Sequence, residues 1–413
     1  IATENLSGLR RLAEGHVVQD GPARSAEEVW QRALDLRPGL LSRATRERPS
    51  LGLALARSAA RRSPLFTAYE GRLGRAPSRG PLDRQVSASR LELFAGCPYR
   101  LFLEKVLGLA EREETEEAFE ADNLAKGNLL HDALASLASG IPKGRSLTRL
   151  AEPAQLSKEH AARAAARWSE RAGAARPPLF VELAANEVAR GVHAVLDYES
   201  SRAHPDRIPV AGAEVRFGAP FSAGDAAEDP ALSSDAPLLV AGVAIGGRMD
   251  RLDFDKGGTR GLARVVDYKW SRNLTPFGGR DPGGRLVAGG ERLQLAVYAR
   301  AARAHGATEV VSEYLFVRPR EKTEDFEVVA VVFSAEETRR AEALLEDAIR
   351  ALSSASRDGL FLPRTQSARQ PKDACRYCSM ARVCGPTKKS VYRRKLRGDE
   401  RGLGALAELW ALP

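Results

Sequence analysis

The chain has 413 residues, 43% of them hydrophobic, so it can bury the core of one large domain or of two ordinary ones. Lysine and arginine outnumber aspartate and glutamate by 63 to 54, which favours a polyanionic partner such as a nucleic acid, although ordinary soluble surfaces carry similar excesses. No apolar run approaches the roughly 20 residues that span a bilayer, and the N-terminus lacks a signal-peptide pattern, so the sequence predicts a cytoplasmic protein with no membrane partner.

The first part of the chain has a helical pattern. Residues 1–62 are rich in Ala, Leu, Arg and Glu, and SAEEVWQRALDL at 25–36 combines a Ser cap, early acids and apolar residues at helical spacing. The Gly, Pro and Ser of GRAPSRGPLDRQV at 74–86 are typical of a linker and predict a domain boundary. Because the first residue is Ile1 and not Met, we expect residues 1–80 to be the helical tail and connector of a longer protein.

The middle of the chain changes from helical to strand periodicity. Residues from Ser89 to about 204 are mostly helical in pattern, with breaks near Gly140 and Pro177. Alternating or continuous apolar residues then predict strands in RIPVAGAEVRFG, PLLVAGVAIGGRMDRLDF, LARVVDYKW, VVSEYLFVRP and DFEVVAVVF. DKGG at 255–258 predicts a turn between two of these strands, and the low-complexity stretch 221–237 predicts a loop.

Two helices complete this part of the chain. One is predicted at about 290–305, between strands, and another begins at Ser334, whose spacing to Glu337 is that of a capping box. Strands with interposed and following helices predict an α/β domain. No G-x-x-x-x-G-K-[ST] motif occurs, so we expect that the chain does not hydrolyse ATP by itself.

Two acids and a lysine meet in the predicted hairpin. Asp267 and Lys269 project from one face of the strand VVDYKWS, and Asp250 lies near the end of the preceding strand. Converging carboxylates repel unless a cation intervenes, and Mg²⁺ or Mn²⁺ takes such oxygen ligands together with phosphate oxygens. The lysine would then offset charge on a phosphorane-like transition state. An isolated D-x-K is more often an ordinary ion pair at a sheet edge.

Two further motifs join this pattern. KGNLLHDAL places His131 on a helix, where a lone histidine is usually a packed one but can also complete a metal site begun by carboxylates. RLQLAVYA places Gln294 and Tyr298 four residues apart on one helical face, which alone indicates only an amphipathic helix with a polar edge. In chain order, however, G-x-x-x-H, G-x-x-D-R-x-D, D-Y-K and Q-x-x-x-Y form a specific combination.

With these motifs the sequence resembles the PD-(D/E)XK nuclease superfamily, in the branch of RecB, AddB and the CRISPR-adaptation nucleases. The resemblance implies a restriction-endonuclease-like mixed sheet flanked by helices, with His131, Asp250 and Asp267 as metal ligands and Lys269 as the catalytic lysine. It also implies that Gln294 and Tyr298 position DNA or the lysine. The proline of the family's name is replaced by Val266, which is usual in this branch.

The four cysteines have the spacing of metal ligands. Cys97 stands alone, and Cys375, Cys378 and Cys384 cluster in CRYCSMARVC. Such thiolates suit either tetrahedral Zn²⁺ or a [4Fe–4S] cluster, and unrelated buried cysteines are the remaining alternative. The flanking SASRLELFAGCPYRLFLEKVLGL resembles the element that opens AddB-type nuclease domains, and this resemblance implies an iron–sulfur cluster held by all four cysteines.

The resemblance covers residues 63–385 and implies a nuclease domain at 81–385, after the tail of a helicase-like region and before a basic C-terminal tail at 386–413. It further implies a metal-dependent DNA exonuclease, paired with an AddA-like motor subunit, that resects double-strand breaks for recombination. Two alternatives stay open. One is a standalone or CRISPR-adaptation-type iron–sulfur nuclease, and the other is a catalytically silent DNA-binding module.

Basic residues near the motifs are candidates for the DNA path, because neutralisation of phosphates is independent of sequence. Four arginines flank the core motifs, namely Arg248, Arg251, Arg272 and Arg280. The run KKSVYRRKLR at 388–397 is either a further DNA contact or an ordinary solvated surface.

Overall fold

The structure is a computed structural model that describes residues 45–46, 49–110, 121–142, 144–171, 176–202, 208–220, 232–254, 261–271, 285–320, 323, 325–367, 373–376, 378–385 and 388–413. The predicted helix at 25–36, the turn at 255–258 and most of the loop at 221–237 lie outside these residues, as do Arg272 and Arg280.

A five-stranded mixed sheet organises the fold. The strands are β1 (Val210–Phe217), β4 (Gly247–Phe254), β5 (Leu262–Trp270), β6 (Glu309–Pro319) and β7 (Phe326–Phe333), in that spatial order. All neighbours are antiparallel except β5 and β6. The parallel pair requires a crossover, and the helix α7 (Gln294–Ala304) provides it. A separate two-stranded ladder joins β2 (Leu238–Val240) to β3 (Val243–Ile245).

Helices flank this sheet, as the sequence predicts for an α/β domain. Before the sheet come α1 (Pro49–Arg62), α2 (Ala88–Gly96), α3 (Pro98–Leu101), α4 (Asn123–Ser139), α5 (Pro153–Arg171) and α6 (Pro178–Ser200). After it come α8 (Ala335–Arg357), α9 (Ala381–Cys384), α10 (Lys388–Gly398) and α11 (Ala405–Ala411). The predicted helix breaks and the capping box of Ser334 and Glu337 are confirmed. None of the described helices is both long and apolar enough to cross a bilayer.

The alternation of side chains along β5 divides the apolar core in two. Val265 packs on the side of α2, α7 and α8, whereas Val266 and Tyr268 pack on the side of α4 to α6. By the same alternation Asp267 and Lys269 project toward α7. The polar residues of the motif therefore lie on the face that also presents Gln294.

A buried lysine ties the N-terminal and C-terminal segments together. Lys395 of α10 is fully buried, and its ammonium donates to Glu70 Oε1 at 2.9 Å and to the carbonyls of Ala60 and Leu65. Tyr392 of the same helix is also buried. Part of the basic run at 388–397 therefore packs inside the protein and does not face solvent.

A buried ion network lies on the α6 side of the sheet and corrects one expectation. Arg251 is 0% exposed and donates to Glu199 at 2.6 Å and to the Tyr268 hydroxyl at 2.8 Å. Arg264 joins the same network through Glu199 and Glu313. The prediction that Arg251 lines a DNA path is wrong, because its guanidinium is fully buried and pairs with the buried carboxylate of Glu199.

Candidate active site and cysteine cluster

Three carboxylates form a row across three neighbouring strands. Arg251 pairs with Ala213 on β1 and with Val266 on β5, so the adjoining residues Glu214, Asp250 and Asp267 lie beside one another on the three strands. All three residues are buried, and the nearest ligand atoms of Glu214 and Asp250 lie within 4.8 Å of each other. The backbone N–H of Tyr268 donates to Asp250 Oδ2 at 2.9 Å. The predicted convergence of Asp250 and Asp267 across the hairpin is therefore found, and a third acid extends it.

His131 completes the row from helix α4. Its Nδ1 lies 3.3 Å from Asp250 Oδ2, and its Nε2 lies 3.0 Å from the carbonyl oxygen of Tyr268. His131, Glu214 and Asp250 each offer a ligand atom within 4.8 Å of the others. Asp267 Oδ1 is buried and accepts no hydrogen bond from any described residue. A buried carboxylate oxygen without a donor beside this group fits a site built for a cation.

Burial and neighbouring charges raise the pKa values of several groups in the row. Burial, reinforced by the charge of Asp250, raises the pKa of Glu214 to about 8, and burial raises the pKa of Asp267 to about 7 against the opposing charge of Lys269. Burial alone would lower the pKa of His131, but the charge and hydrogen bond of Asp250 raise it to about 9. Protons therefore occupy the row when no cation is bound.

Lys269 stands at one end of the row, held by two elements. Its ammonium forms an ion pair with Asp267 and donates to Gln294 Oε1 at 3.0 Å. Gln294 Nε2 lies 2.8 Å from the Tyr298 hydroxyl, and burial raises the pKa of Tyr298 well above its usual range. The predicted helical face of Gln294 and Tyr298 thus contacts the lysine directly and fixes where its charge lies.

Glu214 is the residue that sequence reasoning missed. It occupies a buried position of the strand VAGAEVRF. An acid is unusual at such a position, and this could have identified Glu214 from the sequence. Its φ of +50° is rare for a residue with a side chain. It also forms an ion pair with Arg248, whose side chain is 43% exposed. Glu214 therefore joins the buried row to a basic residue at the surface.

The four cysteines line one cavity of 730 Å³, which also reaches Lys269 and Gln294. The backbone N–H groups of Arg364 and Arg100 donate hydrogen bonds to the Cys97 sulfur, and the Tyr392 side chain hydrogen-bonds to Cys384. Burial raises the pKa of Cys375 to about 11 and that of Cys384 to about 12. The sulfurs stand apart, since within the described part of the chain no cysteines form a group of three ligand atoms inside 4.8 Å.

Taken together, the site offers hard oxygen ligands and one imidazole at an open cavity of 530 Å³ that Arg248 also lines, and the fixed ammonium of Lys269 faces the cavity of 730 Å³. Such a set binds a divalent cation and receives an anionic group next to it. Hydrolysis of a phosphate ester is the chemistry that these groups serve best, because both the ion and the ammonium lower the energy of added negative charge.

Comparison with known proteins agrees with this chemistry. The family model of the PD-(D/E)XK nuclease superfamily matches residues 85–385. A subunit of the ATP-dependent helicase/deoxyribonuclease of Moorella thermoacetica is 28% identical over 243 residues, which are 56% of this chain and 19% of that protein. The chain thus spans about a fifth of this relative. Because the family model covers most of the chain, the chain belongs to the PD-(D/E)XK nuclease superfamily, and its mixed sheet flanked by helices is consistent with the expected restriction-endonuclease-like fold.

Proposed function

We propose that this chain is a DNA exonuclease that hydrolyses phosphodiester bonds with the help of Mg²⁺ or Mn²⁺. The observation that carries the proposal is the cross-strand row of Glu214, Asp250 and Asp267, with His131 at its side and Lys269 at its end. A binding module without catalysis would have no use for buried carboxylates that repel one another, since they destabilise the fold.

His131, Asp250 and Asp267 would hold the cation, with Glu214 as an additional ligand. Among the described residues no donor reaches Asp267 Oδ1, which supports this assignment because a buried oxygen without a hydrogen-bond donor is costly unless a cation satisfies it. When bound, a divalent ion polarises a phosphate oxygen and lowers the pKa of a coordinated water.

The protein's own groups would orient and stabilise the reacting phosphate. Lys269, fixed by Asp267 and Gln294, offers a positive charge where negative charge accumulates during hydrolysis. Arg248, exposed at the cavity beside the carboxylate row, offers a further charge to the incoming DNA backbone. These contacts do not depend on base identity, which suits an enzyme that degrades a strand from its end.

The cysteines would hold a [4Fe–4S] cluster. Zinc–sulfur bonds of about 2.3 Å place the sulfurs of a tetrahedral site about 3.8 Å apart, whereas among the described residues no three cysteine sulfurs lie within 4.8 Å of one another. A cluster of irons and sulfides lies between its ligands and needs a wider set, so the spacing supports the cluster over zinc. Burial raises the pKa of the Cys97 thiol, and the N–H groups directed at its sulfur oppose this shift and would stabilise a thiolate ligand.

The biological role that we propose follows the resemblance to the helicase/deoxyribonuclease subunit. Residues 81–385 would form the nuclease domain, residues 1–80 would be the tail of a helicase-like region, and residues 386–413 would be its basic C-terminal tail. A motor subunit like AddA would deliver an unwound strand to the nuclease in the cytoplasm, during resection of double-strand breaks for recombinational repair.

The decisive experiment is cleavage of an end-labelled single-stranded oligonucleotide, with Mg²⁺ or with EDTA, by the chain and by Lys269→Ala. We expect cutting that requires Mg²⁺ and that the substitution abolishes. A chain carrying Lys269→Ala that cuts at the original rate would refute the site. Absence of cutting by the chain, both alone and with a motor subunit, would refute the nuclease function.

A further inference from the structure

We propose that Glu92 is a positioning residue that connects the cysteine segment to Lys269. This inference rests on the proposed nuclease function and adds a residue to which none of the sequence motifs assigns a role. Glu92 lies on α2, the helix that ends directly before Cys97, and it is only 7% exposed. A buried carboxylate at this place calls for a function, because burial of a charge is costly unless its oxygens are satisfied.

Glu92 satisfies its charge at the N-terminus of another helix. Its Oε1 accepts the backbone N–H of Leu293 at 2.8 Å and that of Gln294 at 3.0 Å. The helix α7 has no capping side chain of its own at Leu293. Glu92 therefore supplies the missing cap from a distant part of the sequence, where a negative charge also complements the helix dipole.

The capped turn is the one that holds the lysine. Gln294 is the first residue of α7, and its Oε1 accepts the hydrogen bond from Lys269 Nζ at 3.0 Å. A shift of this turn would move that oxygen and release the ammonium from one of its partners. One of the two backbone contacts of Glu92 is thus made to the residue whose side chain positions Lys269.

The cysteine segment fixes the other end of this connection. Arg364, whose backbone N–H is directed at Cys97, donates through its guanidinium to Glu291 at 2.9 Å and to the carbonyl of Ala95 at 3.2 Å. At Gly290, an added Cβ would come within 2.7 Å of the Ala95 Cβ, so the loop before α7 lies directly against α2. Movement of the cysteine segment would therefore be transmitted to the start of α7.

The alternative role for Glu92 is that of a metal ligand, since it lines the same cavity as Lys269. Its Oε1 is already engaged by two N–H groups, and it is not part of the group formed by His131, Glu214 and Asp250. The two roles make opposite predictions for Glu92→Gln, because an amide oxygen still accepts both N–H groups but is a poor ligand for Mg²⁺ or Mn²⁺.

The test compares Glu92→Gln and Glu92→Ala in the full chain, with Ser334→Ala as a control that removes the cap of the distant helix α8. Glu92→Ala should lower kcat by about ten- to a hundredfold, as expected for a misplaced catalytic group, with unchanged Mn²⁺ affinity and KM for DNA. Glu92→Gln should retain kcat within about threefold, and Ser334→Ala should not change it. Loss of Mn²⁺ binding in Glu92→Gln would overturn the positioning role.

A second readout does not depend on cleavage. Labelling of Lys269 by an amine-reactive reagent, measured by mass spectrometry at one pH, should be several-fold faster in Glu92→Ala than in the wild type. Equal labelling would refute the inference even if the nuclease is active. If the wild-type chain cuts no DNA but labelling accelerates, the inference survives and the proposed function fails.

Discussion

Glu214 lies directly opposite Asp250 in the antiparallel ladder of β1 and β4. This relationship predicts that Glu214 contributes to cation binding, since its carboxylate is within 4.8 Å of the nearest ligand atoms of Asp250 and His131. Glu214→Gln keeps the shape but removes the charge, so we expect Mn²⁺ affinity to fall by about ten- to a hundredfold. Calorimetry with Mn²⁺ measures this directly. Glu187→Gln, on helix α6, is the matched control, and equal affinities in both variants would exclude Glu214 from the site.

Cation binding should strengthen as pH rises. The pKa values of Asp267, Glu214 and His131 are raised to about 7, 8 and 9, so at pH 6 protons occupy groups that a cation needs. These protons must leave for the ion to bind, and affinity therefore increases from pH 6 to about pH 9 and then levels off. Titrations with Mn²⁺ across this range test the prediction, and a flat profile would contradict it.

The local pattern of the sequence predicted the part of the site that lies on consecutive strands. Asp250 and Asp267 belong to one hairpin, so their alternation alone places them together. Glu214 could not be placed in this way, because β1 reaches β4 only after the separate ladder of β2 and β3, and a register shift separates Val210 from Gly212. The register of β1 is a tertiary property that one sequence does not reveal.

The dependence on tertiary packing also explains why the prediction for Arg251 is wrong. Arg248 and Arg251 lie on one strand and look alike in the sequence, but Arg251 faces Glu199 of α6, which is 52 residues away. The pairing depends on how α6 packs against the sheet and is invisible to local patterns. Burial, and not residue type, decides which arginine is available to DNA.

Replacement of these two arginines should therefore have different effects, one mainly on stability and the other mainly on DNA binding. Arg251→Ala leaves buried acids without their partner and should cost about 3 to 5 kcal/mol of unfolding free energy. Arg248→Ala removes a partly exposed partner of one buried acid, so it should cost clearly less unfolding free energy than Arg251→Ala, but it should weaken DNA binding and reduce the slope of log affinity against log salt concentration by about one. Thermal unfolding and binding at several salt concentrations separate the two. DNA binding by Arg248→Ala with unchanged affinity and unchanged salt dependence would contradict the assignment of Arg248 to the DNA path.

Asp267→Asn should stabilise the protein when no metal is present. The raised pKa of Asp267 means that the folded state holds its proton more tightly than the unfolded state, so ionisation destabilises the fold as pH rises through about 7. At pH 8 in EDTA, the neutral amide should therefore add on the order of 2 kcal/mol, and Mn²⁺ should no longer raise the unfolding temperature. Asp197→Asn, at an exposed position, serves as the control. A destabilised Asp267→Asn would show that the carboxylate serves the fold and not the site.

Tyr392→Phe should alter the proposed iron–sulfur cluster without dismantling it. Tyr392 is 4% exposed, and its side chain hydrogen-bonds to Cys384, one of the four proposed ligands. A hydrogen bond to a ligand sulfur favours the more negative, reduced cluster, so its removal should lower the reduction potential. The protein purified without oxygen should be brown, with absorbance near about 400 nm, and should keep its iron content in this variant. Voltammetry measures the potential, and Tyr198→Phe, beside Arg202 on the other side of the sheet, should leave it unchanged. An unchanged potential in Tyr392→Phe would contradict the contact, whereas stoichiometric zinc without iron would refute the cluster itself.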